Sequence, residues 1–523
     1  MSLLSAILLV LVAGAVAVAF LPAAYRAARS WFVVAVAALS MLMSVSLWTG
    51  YDAQNAAFQF LARVPLVGAI GFDYFVGLDG FSMLLVVLTA LVGVLVAGVA
   101  AAGRGLSTRE AIGLLLLQAA LVGAFAALDL LLFFVCVVTA LLAVWLLMGD
   151  EHPAVGRATS RRGFALSSGC AAALLLAAIL AVYVQSGVTS GVRSFDMTAL
   201  HKLHLPLGAQ VWIAAAFFIT FAILLPLLSF EAWFAQVDDA DRLPARLVVA
   251  ALMTKIGSYG LIRIALPVLP DAAGVLAPYL AWVAIVVALY AAVQLFRVRS
   301  WGRAIAYLSL LQMAVLILGT TAFNDAGLGG AMLMHVAHGV AMSALLVSVG
   351  DRDAMPGAMG GAVGVLLAIA IVVAAGVPYS GTGAGVRLVM QGLSEGHAVW
   401  AIAVPALMAV SAAAMLGQVW VAFTRASGSA LPRAEAGVFN RAAAVVLLAV
   451  AVWMGVRPAP FLDRLRIAAH HVVSHVNPAA GNAADCDTIP TPEAVSGTAG
   501  SQFLSAVPCG PNGEPLPAPQ SPK

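Results

Sequence analysis

Long apolar runs separated by short polar clusters dominate the hydropathy pattern of this chain. The runs centre near residues 13, 40, 91, 119, 139, 174, 220, 257, 285, 312, 339, 370, 411 and 448. Apolar stretches of about 17–25 residues cross a bilayer as helices. The pattern therefore predicts an all-α polytopic membrane helix bundle of about 14 transmembrane helices. The runs show no sustained period-2 alternation, which excludes a membrane β-barrel. The first run, LLSAILLVLVAGAVAVAFLPA, lacks a basic leader and is followed by span after span. It reads as the first membrane helix and not as a signal peptide.

The polar clusters carry an orientation. Alternate loops hold Arg26, Arg29, Arg104, Arg109, Arg157, Arg161, Arg162, Arg242, Arg246, Arg297, Arg299, Arg303, Arg352, Arg425 and Arg433, whereas the opposite loops hold Arg63, Arg193 and Lys202. Short loops rich in Lys and Arg stay in the cytoplasm. An inner-membrane protein with both termini on the periplasmic side is expected. With 63% hydrophobic and 9% charged residues and a mean hydropathy of +1.04, the chain lacks the polar surface of a soluble protein. A net charge of +3 gives no basic excess for a nucleic-acid partner.

Residues 1–475 read as the transmembrane domain. Residues 476–523, ending in GPNGEPLPAPQSPK, read as a disordered tail with little to bury. Cys486 and Cys509 lie in this tail on the expected oxidising side, and two readings stay open: a disulfide or two free thiols. Cys136 and Cys170 read as small residues within apolar helices. No haem motif, CxxC array, nucleotide loop or metal-ligand spacing is present, so no cofactor is expected.

Three basic residues fall inside spans: Lys255, Arg263 and Arg387. A charge at bilayer depth costs about 2.5–3.5 kcal/mol on insertion scales, and such residues mark ion pathways. Lys255 lies in AALMTKIGSYGLIR, about ten residues or 15 Å of helix from either end of its span. Its stem does not bridge that distance, so it is the leading proton-relay candidate. Gly257 and Gly260 let that helix loosen or a neighbour approach. Arg263 is expected to snorkel to the outer interface. Arg387 follows SGTGAG, a stretch too rich in glycine for a plain helix, and broken helices beside cations recur at ion-translocating sites. His335 and His338 share a helical face, and imidazole exchanges protons near neutral pH; the alternative is a satisfied core histidine, the preferred reading for His335. Gln312, Tyr307, Ser309, Thr254 and Ser258 are further polar groups suited to holding water.

These stretches resemble a known family, the antiporter-like membrane subunits of respiratory complex I, with the M chain (subunit 4) as the nearest pattern. VGLDGFSMLLVVLTALVG resembles that family's third helix, DLLLFFVCVV its fifth and MTKIGSYGLIR its eighth. WGRAIAYLSLLQMAVLILG and GLGGAMLMHVAHGVAMSALL are similar to the tenth and eleventh. GVPYSGTGAG resembles the broken twelfth, and GVRPAPFLD the close of the fourteenth. The resemblance runs from about residue 70 to 470 and implies an antiporter-like fold. It also implies a non-redox subunit of a proton-translocating NADH:quinone oxidoreductase, not catalytic alone, with other membrane-arm subunits and the lipid bilayer as partners.

The resemblance implies a polar axis that this chain keeps in part. The eighth-helix lysine matches Lys255 and the eleventh-helix histidine matches His338. The tenth-helix histidine falls on Gln312, the twelfth-helix acid on Val386 beside Arg387, and Glu231 stands where a histidine is usual. The acid and lysine that pair between helices five and seven fall on Val138 and Leu224. Losing both removes two intramembrane charges and their desolvation cost together. The expected path is therefore Lys255, His338, Arg387, Glu231, Gln312 and His335. The alternatives are a non-conducting scaffold in the same complex, or a subunit of a multi-chain cation/proton antiporter or membrane-bound hydrogenase.

Overall fold

The computed structural model describes residues 2–22, 25–148, 155–227, 249–298, 300–350, 361–396, 398–426 and 438–477. The expected disordered tail beyond residue 477, with Cys486 and Cys509, lies outside them. The chain opens with α1 (Leu3–Ala19) and α2 (Arg26–Gly50), then a hairpin of β1 (Gln59–Val67) and β2 (Phe72–Leu78). Helices α3 (Gly80–Ala102), α4 (Thr108–Ala126), α5 (Leu130–Leu147), α6 (Val155–Ser190), the short α7 (Met197–Leu200) and α8 (Leu207–Leu224) follow. Next comes an interrupted segment with α9 (Thr254–Gly260) at its centre. The second half contains α10 (Pro270–Leu295), α11 (Trp301–Thr320), α12 (Asp325–Val349), α13 (Gly361–Ala374), α14 (Gly381–Ser394), α15 (Ala398–Ala426), α16 (Val438–Val456) and α17 (Ala459–Val476). Among the described residues, eleven helices are long and apolar enough to cross a membrane, and α1 and the apolar stretch of α13 are shorter. The chain is a multi-pass membrane helix bundle.

Local chemistry sets where the helices begin. Asp79 accepts from Ser82 N to open α3, Ser107 and Glu110 form a capping box on α4, and Asp129 accepts from Leu131 N and Leu132 N on α5. Such caps satisfy amide donors that have no partner within the helix. Solvent then decides depth. Helices α11 and α12 are buried almost throughout, while α10 and α15 expose apolar side chains such as Trp282, Val286 and Trp420. An apolar exterior around a polar-containing centre suits helices whose outer solvent is lipid.

The hairpin is an addition to the all-α expectation. It pairs Arg63 with Phe75 and Val64 with Tyr74, turning through Gly71 at a φ of 70° that favours glycine. Its apolar residues blend into the run approaching α3, so hydropathy alone conceals it. Leu128 N donates to Phe75 O and Met197 N to Leu128 O, both at 2.9 Å. These bonds tie the hairpin to the α4–α5 and α6–α8 connections. Arg63 bridges Asp73 at 2.7 Å and Asp196 at 3.0 Å on the same end of the bundle.

At that end the terminal helix α17 folds back against α3. A Cβ on Gly80 would stand 1.7 Å from the carbonyl oxygen of Arg464, so only glycine permits this approach. Within the core, a Cβ on Gly385 of α14 would meet Met334 of α12 at 2.8 Å. The small residue lets α12 and α14 pack backbone to backbone, as membrane helices do without a hydrophobic drive between them.

Candidate functional site

Lys255 sits on α9, a single α-helical stretch between two π-helical turns, Val249–Met253 and Leu261–Ala265. Isolated π turns loosen the backbone ladder and recur at functional sites. The C-terminal turn of α8 presses directly on this segment: a Cβ on Gly257 would meet Phe221 O at 2.6 Å, and one on Gly260 the Phe221 ring at 2.2 Å. The two glycines therefore serve close approach. The lysine is fully buried.

Its partner is His338 on α12. Lys255 Nζ lies 2.6 Å from His338 Nδ1, and His338 Nε2 lies 2.9 Å from Ser309 Oγ on α11. With the proton on the amine, Nζ donates to Nδ1 and the ring donates from Nε2 to serine. With the proton on the ring, both ring nitrogens donate. One proton crossing 2.6 Å interconverts the two states. Among the described residues Lys255 joins no ion pair. Its hydrogen-bond partner is an imidazole and not a carboxylate.

One turn away, His335 is also fully buried, with Nε2 3.2 Å from Ser258 Oγ and its ring edge-on to Phe81 at 5.2 Å between centroids. Its Nδ1 has no hydrogen-bond partner among the described residues. Gln312 on α11 is buried and donates from Nε2 to Ala374 O at 2.5 Å. That carbonyl ends α13, where the chain breaks through Ala375–Tyr379 before Ser380 caps α14. The amide thus satisfies an orphan carbonyl at a helix interruption. Gln312 Oε1 remains unpartnered among the described residues.

Other sequence candidates fall differently. The SGTGAG stretch expected to be unwound is helical from Gly381 onward, and the break precedes it. Arg387 is exposed on α14, so the structure does not bring it into the Lys255 cluster. Glu231 lies outside the described residues. Val138 is 36% exposed on the outer face of α5, whereas Leu224 is buried at the end of α8.

Arg263 corrects the expectation of a snorkelling side chain. It is buried, with Nη1 3.2 Å from Asp79 Oδ2 and its guanidinium 4.5 Å above the Phe58 ring. A carboxylate at the N-terminus of α3 offsets the charge inside the protein, so the side chain need not reach the headgroups. Between this pair and Lys255 stands Tyr259, whose hydroxyl donates to Phe125 O at 2.8 Å and lies 3.0 Å from Ser82 Oγ. Sequence reading passed over Asp79, Ser82 and Tyr259. The one available signal was Asp79-Gly80 at the head of an apolar run, which reads simply as a helix cap.

Residues 127–355 match the family model described as NADH:quinone oxidoreductase/Mrp antiporter, TM. The chain is 32% identical over 321 residues to NAD(P)H-quinone oxidoreductase chain 4 2 of Thermosynechococcus vestitus, covering 61% of this chain and 59% of that protein. It is 27% identical over 338 residues to NADH-quinone oxidoreductase subunit M of Rickettsia conorii, covering 63% and 67%. The match with the first of these thus spans about three fifths of the relative's length. In fold it resembles a chain of respiratory complex I from Thermus thermophilus, with a TM-score of 0.77 at 23% identity over 91% of this chain and 100% of that one. It also resembles a chain of the Mrp complex from Dietzia sp., with a TM-score of 0.75 at 19% identity over 92% and 99%. Over residues 127–355 this chain therefore carries the NADH:quinone oxidoreductase/Mrp antiporter membrane domain, and in sequence and fold it is similar to the antiporter-like membrane subunits that share it.

Proposed function

We propose that this chain is a membrane-arm subunit of an NADH:quinone oxidoreductase and contributes to proton translocation coupled to quinone reduction. The observation that carries this reading is the buried Lys255–His338–Ser309 hydrogen-bonded line, with Nζ 2.6 Å from the imidazole. A lysine and a histidine placed so closely can hold one proton between two neighbouring sites, which suits transfer more than permanent charge storage. His335 with Ser258, and Gln312 at the broken helix, extend the polar region along the bundle. In keeping with the relatives named chain 4 and subunit M, its partners on this reading are other membrane-arm subunits, in an inner membrane.

A second reading, a scaffold that does not conduct, draws support from Val138 and Leu224. Both stand where the family resemblance implies charge, and one faces outward while the other is packed. Replacing a buried ion pair by apolar groups is often neutral or stabilising, so such a subunit would assemble well. The fold shared with a chain of the Mrp complex keeps an antiporter subunit as the other outcome.

Lys255→Ala separates these readings in the assembled complex. The expected result is a lower proton yield per electron with assembly retained. An unchanged yield with NADH oxidation intact assigns the chain to the scaffold. Deletion of the chain with no effect on NADH oxidation or pumping would remove it from that complex.

A further inference from the structure

The face of α9 that carries Lys255 continues toward the hairpin end of the bundle. Residues four apart share a helical face, so Tyr259 follows Lys255 by one turn. Arg263 follows in turn, within the π-helical stretch. Tyr259 meets Ser82, Ser82 N donates to Asp79 Oδ1 at 2.8 Å, and Asp79 Oδ2 meets Arg263 Nη1. Beyond Arg263 stand three imidazoles from distant parts of the chain. His201 follows α7, while His471 and His475 lie one turn apart on α17. Their ring centroids are separated by 5.8 Å (His201–His471), 6.0 Å (His201–His475) and 4.5 Å (His471–His475).

This region is rich in buried polar atoms with no hydrogen-bond partner among the described residues. Nδ1 of His471, Nη2 of Arg263 and Nε of Arg464 are all in that state, and His201 makes no hydrogen bond of normal length, with the Arg263 backbone as its nearest polar neighbour. Buried polar groups are rarely left unsatisfied, because each costs about 1–3 kcal/mol. A polar pocket with several such groups is where internal water is held. No metal explains the cluster, since among the described residues no three ligand side chains are arranged to hold one. The adjacent Arg263 guanidinium also disfavours a cation there.

We propose that protons pass from the Lys255–His338 centre along the face of its own helix, past Tyr259 and Ser82 and through the Asp79–Arg263 pair. They emerge in a hydrated histidine vestibule formed by His201, His471 and His475. Each step moves one proton and leaves no net change in the relay. Asp79 accepts a proton delivered by water beside Tyr259, which weakens its hold on Arg263. It then releases the proton to the vestibule, restoring the pair. The charged and titratable groups that face His201 and His471 are Asp79 of α3, Arg263, and His470 and His475 of α17; Tyr51 at the end of α2 faces Asp79, Arg263, Arg464 and Asp52. Burial, with the neighbouring imidazoles and Arg263, holds His201 well below the usual imidazole range, and holds His471 down at about 3. Both rings are neutral near pH 7 and can pass a proton on without retaining it. The route rests on the proton-translocation reading above but names a different exit for it.

The test uses the full chain in its complex, in sealed vesicles, with Cys136, Cys170, Cys486 and Cys509 replaced by serine and His201→Cys introduced. A membrane-impermeant anionic methanethiosulfonate, added from the hairpin side, is expected to label the new thiol. It is also expected to cut the proton yield per electron several-fold. No labelling of assembled complex means the vestibule is dry, which overturns the proposal. Labelling without a change in yield overturns the route. Asp79→Asn provides a second arm, because asparagine keeps the α3 cap while removing the carboxylate. It is expected to lower the yield with NADH oxidation retained. Lys255→Ala runs beside both. If it lowers the yield while labelled His201→Cys and Asp79→Asn do not, the exit fails and the transport reading stands. If it too leaves the yield unchanged, both fail.

Discussion

Lys255 and His338 form a unit whose members depend on each other. Removing one leaves the other buried without its hydrogen-bond partner, a loss of about 1–3 kcal/mol. His338→Leu is therefore expected to lower the midpoint of thermal unfolding in detergent and to abolish transport. The double variant Lys255→Leu/His338→Leu is expected to recover much of the stability, since both polar groups leave together, and to recover none of the transport. Strict additivity of the two single losses would show that the 2.6 Å contact carries no coupling energy. The unit was half legible in the sequence. An ammonium group deep in an apolar run must be compensated, and a histidine in another span is a visible candidate. Asp79 and Arg263 were not legible as a pair, because nothing local signals which distant turn a buried guanidinium meets. Snorkelling is the cheaper guess when only one strand of sequence is in view.

Elements of the fold were legible to different depths for the same reason. A span announces itself by length and hydropathy, whereas the π turns around α9, the hairpin, and the docking of α17 depend on contacts between distant segments. Helix α17 makes that dependence testable. Gly80→Ala places a methyl group 1.7 Å from Arg464 O, so α17 must shift away from α3. Loss of about 1–3 kcal/mol of packing is expected, seen as faster hydrogen exchange over residues 459–476 than in the parent. Acid should loosen the same contact. His471 has its docked pKa lowered to about 3, first by burial and then by Arg263, against about 6.5 when undocked. A group whose folded pKa is depressed binds protons mainly when released, so docking is full above about pH 6.5 and weakens as pH falls toward 3. Exchange over 459–476, taken relative to the intrinsic rate at each pH, is expected to rise through that window, and His471→Gln to flatten the rise. A pH-independent profile in the parent would mean that docking of α17 does not hold His471 below the ordinary imidazole range.

Across the whole molecule the two ends of the bundle differ in chemistry, and the difference fixes a direction for the transport reading. At one end, basic side chains close short loops: Arg26 donates to Gly105 O at 3.2 Å, Arg29 to Leu106 O at 3.0 Å, and Arg104 pairs with Glu110. At the other, carboxylates and histidines gather around the hairpin, α7 and α17, with Arg63 between Asp73 and Asp196 and His470 beside Asp325. Basic loops are retained in the cytoplasm during insertion, so on the transport reading proposed above the hairpin and α17 are expected on the periplasmic side. On that proposal the histidine vestibule opens outward, the direction in which exported protons would leave. A periplasm-dependent phosphatase fused after Asn477 is expected to be active, and the same enzyme fused after Val298 inactive. The reverse result would turn the molecule over. The vestibule would then be an inlet from the cytoplasm, with Lys255 receiving protons through Asp79 and passing them on toward the α13–α14 break.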